Sequence, residues 1–443
     1  MVPEVSAIED AQKDFREGAA LLYGIDVRES AAPEENRNTV AVFEHPVEHQ
    51  IVKHPYGIDG NFTCHRPLLC LGFSGGSLKQ DSYFFFLCQG VVNALYSTSM
   101  SQAKLFVNIV AWNSMAYLPD LLASLQNQTC RDFRVLIIDN ASTDNITRFL
   151  REEYPEVAYL RNARNMGFAS AHNQGIRYAM ECWGEGEWGD RFVLVTNPDT
   201  ILEPDCLERL VAAARAYPHT ASFTPKLLRA HVSDPHDVAM RAVIKTNELD
   251  STGLVGQRSR VFADRGAGEE DRGQYDDKQD VFGVSGALAL YRASALRDAK
   301  IGDEYFDNDF FCYKEDVDLA WRLRSLGFEA RFVPEARAYH YRGMYGKEKM
   351  GLLERIKNRR GKSRVRSYYS TRNHWSMLMK NEHWADALLS FPWIAGYELA
   401  RFFYVVAFET KNVPAFFEAI TRAPRMWRKR QVHRPRRQSM WFV

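Results

Sequence analysis

The sequence predicts an α/β fold, a mostly parallel sheet of Rossmann-like winding flanked by helices, followed by a helical and basic C-terminal extension. Three observations carry this. Short apolar runs suited to buried parallel strands recur at Leu105–Trp112, Phe133–Asp139, Val157–Arg161 and Phe192–Val195. Helical-period segments lie between them, and alternation of strand and helix implies a doubly wound sheet. Polar clusters sit where the strands end, which is where such sheets bind ligands.

The first helix is read from Leu118, Leu121, Leu122 and Leu125, spaced i, i+3, i+4, i+7. Ser142 or Thr143 is placed to cap the helix after the second strand. Further on, Leu319, Leu323 and Leu326 form the expected buried face of a helix that begins at Glu315 and Asp316. A last strand, Ala330 to His340, follows it.

Composition narrows the function classes. Lysine and arginine number 57 against 56 aspartates and glutamates, a formal net charge of +1, so nucleic acid is not an expected partner. With 46% hydrophobic and 26% charged residues the 443-residue chain is globular, with one large or two ordinary cores. Seven cysteines form no CxxC pair, which argues against a zinc ribbon or disulfide scaffold and for a reducing compartment. The N-terminus lacks the basic-apolar-small succession of a secretory signal, so a cytoplasmic catalytic part is expected.

Three regions are expected. Residues 1–99 hold 13 acidic and 7 basic side chains with weak periodicity, and Met100 precedes the first convincing strand. They form either a divergent extension or a stretch ahead of the true start. Residues 100–341 form the catalytic domain, and residues 342–443 a helical basic region.

Several clusters carry chemistry. Asn113 follows the first strand. Asp139 ends the second, where its carboxylate either accepts a pyrimidine imide N–H or caps a turn with Ser142. Asn165 and Gly167 open a helix whose N–H groups and dipole suit phosphate or ribose. Asn197-Pro198-Asp199 ends the strand from Phe192, and Asp199 is an oxygen ligand suited to a hard cation that holds two phosphates. Glu315 and Asp316 at a helix N-terminus, behind an aromatic approach from Phe306 to Tyr313, suit a base beside an incoming hydroxyl. The polar, glycine-rich stretch between Gly253 and Asp280 reads as a mobile loop over the acceptor side or as an ordinary surface loop.

From Lys104 to Tyr341 the chain resembles a family 2 inverting glycosyltransferase of the GT-A fold, of the rhamnosyltransferase-like branch. The resemblance rests on Ile137–Asp144, Asn165–Ala169, Asn173–Ile176, Asn197–Asp199, Gly283–Ala287, Tyr313–Leu319 and His340. It implies that Asp139 contacts the donor base and that Asn197–Asp199 stands where the family has its metal-binding DxD. Asp199 is then the surest ligand of a Mg²⁺ or Mn²⁺ ion, His340 completes the coordination, and Asn197 contributes more weakly or through ribose or water. Asp316 is the general base with Glu315 in support, and Gly286 and Ala287 line the acceptor and sugar pocket. The implied donor is dTDP-rhamnose, with a UDP-sugar such as UDP-galactofuranose or UDP-GlcNAc as the alternative. The implied acceptor is a saccharide or lipid-linked precursor of a cell-surface polysaccharide. An inactive nucleotide-sugar-binding scaffold is a third reading, opposed by the presence of Asp199, Asp316 and His340.

Beyond His340 the chain turns basic, with 11 basic residues from Arg342 to Arg372 and eight from Arg422 to the end. Trp384–Phe408 is aromatic and aliphatic but interrupted by Asp386, Pro392, Glu398 and Arg401, too broken for a membrane span. Two readings stand. An interfacial helix pair would place Arg428, Lys429, Arg430, Arg434, Arg436 and Arg437 against anionic headgroups on the inner membrane face. Alternatively, a helical subdomain packs on the core or forms a dimer.

Overall fold

The structure, a computed structural model, describes residues 103–341 and 364–438 together with Phe442, apart from 185, 187 and 233–242. These belong to one compact unit, residues 96–443. The expectations for residues 1–99, for a start at Met100 and for the basic run 342–363 lie outside the described residues.

The first half runs β1 (Leu105–Ala111), α1 (Leu118–Gln126), β2 (Phe133–Asp139), α2 (Ile146–Glu153), β3 (Ala158–Arg161), α3 (Gly167–Trp183), β4 (Phe192–Thr196), β5 (Thr200–Leu202) and α4 (Cys206–Ala216). The second adds β6 (Thr220–Val232), β7 (Val243–Ser251), β8 (Leu254–Gly256), β9 (Phe262–Asp264), β10 (Leu288–Arg292), α5 (Ala293–Asp298), α6 (Glu315–Ser325) and β11 (Glu329–Tyr341). Last come α7 (Arg364–Asn381), α8 (Trp384–Leu389), α9 (Phe391–Phe408) and α10 (Pro414–His433).

The main sheet has the order β3-β2-β1-β4-β10-β6-β11-β5, with β7 also pairing β6. Strands β1 to β4 are parallel, β10 runs antiparallel between β4 and β6, and β11 is parallel to β6. Strand period 2 sends alternate β1 residues to opposite faces. Leu105, Val107 and Ile109 pack with α1 and α4, whereas Phe106 packs with α3 and α6. The four leucines of α1 are buried as their spacing predicts. Burial of each is worth about 1.5–3 kcal/mol.

Local readings need correction at three places. Neither Ser142 nor Thr143 caps α2: its N-cap is Asn145, without a side-chain bond. Both residues are drawn instead into the site loop described below. Leu326 lies past the end of α6 and is exposed, so of the three leucines Leu319 and Leu323 are buried, together with Val317, Ala320 and Trp321. The stretch 253–280 is not a free loop. Strands β8 and β9 form a hairpin within it, Arg265 donates to Thr252 and to the Lys278 carbonyl, and buried Lys226 pairs with Asp271 and Asp276.

The C-terminal helices are bound to the catalytic half by buried polar contacts. Lys380 bridges Asp307 and Asp318 at 2.6 and 2.7 Å. Lys429 pairs with Glu304, Asp307 and Asp309, and Arg437 with Asp386. Arg430 donates to the carbonyls of Met379 and Lys380. Of the cations expected at headgroups, Lys429, Arg430 and Arg437 are engaged within the protein. Lys380 and Lys429 find acidic partners on the segment before α6 and on α6 itself, whereas the partners of Arg430 and Arg437 lie within the C-terminal helices. An apolar seam of Leu254, Phe282, Phe310, Trp321, Met377 and Phe442 closes the joint.

Candidate active site

Three groups of side chains line the carboxyl ends of the central strands. The first belongs to β1 and β2. Asn113 adopts a positive φ of 49°, a conformation that asparagine tolerates. Its Oδ1 accepts from the Thr143 N–H at 2.8 Å, and its own N–H donates to Ser142 Oγ at 3.0 Å. Asp139 is wholly buried. Its Oδ1 accepts from the Ser142 N–H at 2.8 Å, while Oδ2 accepts from Tyr159 Oη at 2.8 Å and Arg161 at 2.6 Å. The carboxylate thus holds the turn and is already served by a phenol and a guanidinium. An imide N–H reaches it only alongside or in place of these. Neither Tyr159 nor Arg161 was singled out in the sequence, since neither stands at a motif spacing.

Asn165 and Gly167 have an internal task. Asn165 Oδ1 accepts the Gly167 N–H at 2.8 Å, and the Ala169 N–H is taken by the Phe311 carbonyl. The start of α3 is therefore less open to phosphate than expected. Gly167 has φ +79°, and a Cβ there would come within 2.5 Å of Phe311, so both conformation and space require glycine.

The second group lies where β5 meets β11. Their antiparallel register sets His340 opposite Thr200, beside Asp199. His340 Nε2 is 3.2 Å from Asp199 Oδ1, and Nδ1 is 2.8 Å from Asp250 Oδ2. A register shift in the β6/β7 pairing falls beside Asp250, and such irregularities re-aim side chains. Asp250 had no motif to reveal it and was missed. Burial opposes a charge on His340, but the two carboxylates outweigh it and raise the imidazole to about 10.

Asp199 Oδ1 is buried without a hydrogen bond. Two donors side by side on an octahedral Mg²⁺, each about 2.1 Å from it, lie about 3.0 Å apart. The observed 3.2 Å fits that arrangement once the proton on Nε2 is lost. Among the described residues no three His, Cys, Asp or Glu side chains form a ligand group. An ion held here would therefore depend on diphosphate oxygens and water for its remaining ligands, the usual habit of Mg²⁺. Asn197 is fixed through its backbone, its N–H donating to the Ala287 carbonyl at 2.9 Å.

The third group surrounds α6. Asp316 Oδ2 accepts from the Gly286 N–H at 3.1 Å and Oδ1 from its neighbour Val317 at 2.8 Å. Burial raises the Asp316 carboxyl, and those two N–H bonds offset only part of the rise. Glu315 is pushed well above the ordinary range by burial and then by Asp316, and its Oε2 has no hydrogen-bond partner. At Gly283 a Cβ would lie 2.3 Å from Ala320 Cβ, so a glycine lets α6 approach the segment before β10.

Gly286 and Ala287 join the groups. One donates to Asp316 while the other accepts from Asn197. The loop before α6 is strained, with positive φ at Phe311, Tyr313 and Lys314. Such residues cost about 1–3 kcal/mol each and persist where the surroundings fix them. Asn373 of α7 supplies this support, its Nδ2 lying 2.8 Å from the carbonyls of Phe310, Cys312 and Tyr313.

Known proteins resemble this chain in sequence and in fold. Residues 106–299 match the family described as Glycosyl transferase family 2. An N-acetylglucosaminyl-diphospho-decaprenol L-rhamnosyltransferase of Mycobacterium tuberculosis is 31% identical over 237 residues, 53% of this chain and 74% of the relative. The chain belongs to glycosyl transferase family 2. This family 2 enzyme is also similar to rhamnosyltransferase WbbL of Escherichia coli, at 23% identity over 53% of the chain and 83% of the relative. A crystal structure of GalNAc-T7 with UDP, GalNAc and Mn²⁺ shares the fold, with a TM-score of 0.50 and 13% identity over 77% of this chain and 56% of that one. The fold is GT-A, as expected, and the family 2 enzyme is rhamnosyltransferase-like.

Proposed function

We propose that the enzyme transfers L-rhamnose from dTDP-rhamnose, with inversion, onto a lipid-linked precursor of a surface polysaccharide. The observation that carries this reading is the Gly286–Ala287 segment, which ties the base Asp316 to the Asn197–Asp199 corner. An acceptor hydroxyl held at Asp316 thereby meets a donor held at Asp199. The rhamnosyltransferase relatives support the sugar, and the diphospho-decaprenol acceptor in the name of the mycobacterial relative supports the lipid link.

Asp316 takes the proton of the acceptor hydroxyl as its oxygen bonds to the anomeric carbon. The bond from that carbon to the diphosphate breaks, and the electron pair leaves with dTDP. Burial raises the Asp316 carboxyl, and a raised carboxylate is a better proton acceptor. Asp199 and His340 would hold a Mg²⁺ or Mn²⁺ ion, and Asp250 would orient the imidazole. When bound, that ion supplies charge neutralisation to the departing diphosphate. Glu315, beside the base, is raised well above the ordinary range by burial and then by Asp316.

The lipid-linked reading is supported by α8 and α9, which leave Trp384, Leu388, Phe391, Leu399 and Phe403 exposed, each at 58% or more. No described helix is long and apolar enough to cross a membrane. A helix pair lying in the interface of an anionic membrane accounts for that surface. Arg428, Arg434 and Arg436 make no ion pair among the described residues and are the cations left for headgroups.

The test is a thermal-shift and calorimetric panel of dTDP-rhamnose, UDP-galactofuranose, UDP-GlcNAc and GDP-mannose, each with Mn²⁺ and with chelator. Metal-dependent stabilisation by dTDP-rhamnose alone is expected. Stabilisation by a UDP-sugar instead transfers the assignment to that donor, and no response to any of them overturns the reading.

A further inference from the structure

Between α7 and α9 lies a cavity of about 160 Å³, lined by Arg366, Ser367, Ser370, Thr371, Tyr397 and Arg401, with Glu409 also in its wall. The Glu409 carboxylate is engaged by Asn412 at 2.9 Å. Neither arginine makes an ion pair among the described residues. Arg401 donates to the Ser370 carbonyl at 3.1 Å, and Arg366 stands 5.8 Å from the ring centre of Tyr313. Two guanidinium groups and several hydroxyls around one small space form a site for a multiply charged oxyanion, because a guanidinium fork matches phosphate oxygens.

The cavity adjoins the catalytic loop. Tyr313 and Lys314 immediately precede Glu315 and Asp316. Lys314 is drawn down to about 8 by burial and then by the charge of Arg401, with Asp316, Glu398 and Glu315 opposing the shift. The metal corner belongs to β4, β5 and β11, whereas this cavity lies on the α7 and α9 side, linked to the loop before α6 through Arg366 and Tyr313. From Arg401 onward α9 exposes Phe402, Phe403 and Val406, an apolar surface that begins at the cavity wall.

We propose that the Arg366–Arg401 cavity binds the diphosphate of a polyprenyl-diphosphate-linked acceptor, with the prenyl chain running out over the exposed face of α9. This rests on the lipid-linked reading above and adds a site to it. The sugar nearest the diphosphate would then be directed toward the Tyr313–Asp316 loop.

The test is calorimetric titration of the full chain with farnesyl diphosphate, inorganic diphosphate and phosphatidylglycerol vesicles, with chelator present to suppress metal-dependent donor binding. Farnesyl diphosphate is expected to bind more tightly than inorganic diphosphate. Arg366→Gln and Arg401→Gln are each expected to weaken it at least tenfold at an unchanged melting temperature, and Arg401→Lys to recover part of the loss. Should Arg401→Gln fold poorly, Ser367→Asp places a repelling carboxylate in the same cavity and is expected to weaken binding equally. Wild-type affinity in the folded variants overturns the proposal, as does failure of the wild type to bind farnesyl diphosphate. Equal binding of inorganic and farnesyl diphosphate overturns the lipid assignment, and vesicle binding that ignores both arginines places the membrane contact elsewhere. These titrations involve no sugar transfer, so an inactive enzyme would defeat the proposed function and leave this site to stand or fall by itself.

Discussion

Lys380 of α7 lies 2.7 Å from the carboxylate of Asp318, two residues after Asp316, the proposed base, on the same helix. Both side chains are completely buried, and Lys380 also holds Asp307. A buried cation serving two carboxylates fixes the rotation of α6 about its axis. The C-terminal region thus supports the helix that carries the proposed base. Removing one member of a buried pair strands the others, which costs about 3–5 kcal/mol.

Lys380→Met should therefore lower the urea midpoint by an amount corresponding to about 3–5 kcal/mol. A midpoint within error of wild type would show that water compensates Asp307 and Asp318.

Asp316→Asn should reduce turnover by at least about 10²-fold, the usual worth of a positioned base, while leaving donor affinity nearly intact because only the proton acceptor is lost. Turnover and donor titration of one preparation check this. Wild-type turnover would refute the assignment of the base.

Asp199→Ala should weaken Mn²⁺-dependent donor binding, and Asp250→Asn should weaken it by about 10–100-fold through misorientation of His340. Donor binding without metal should change little. Equal losses with and without metal would mean that these residues serve only the fold.

Glu315→Gln should raise the melting temperature more at pH 8 than at pH 4. The native pKa of Glu315 lies above its ordinary 4.5 because of burial and then Asp316, so its contribution to stability is fully present below about 4.5 and is lost as pH rises through the native value. Glutamine has no such loss. A stability difference that does not vary with pH would contradict the burial argument.

Phe403→Ser with Leu399→Ser should reduce flotation with anionic vesicles while leaving the melting temperature within about 2 °C, since exposed side chains contribute little to folding. Deleting the chain after Thr421 would not test this cleanly, because it removes Arg422 and Lys429, which hold Asp309. Undiminished flotation of the double variant would favour a protein partner for this face.

What the sequence determined by itself was local and periodic. Strand and helix periods placed β1 to β4 and α1, and the polar residues at strand ends marked Asn113, Asp139, Asn197 and Asp199 as a rim. Motif order supplied Asp316 and His340. Such information lies in runs of neighbouring residues, which is why it could be read.

Tertiary structure alone decided which groups meet. Asp250 reaches His340 across 90 positions, Arg161 and Tyr159 occupy the carboxylate of Asp139, and Asn373 braces the loop before Asp316 across about 60. The basic tail looked like a solvated face, because charge in a sequence carries no sign of its partner. Only when α7 and α10 dock against the loop from Glu304 to Asp309 do Lys380 and Lys429 become buried, and desolvation then makes those pairs decisive.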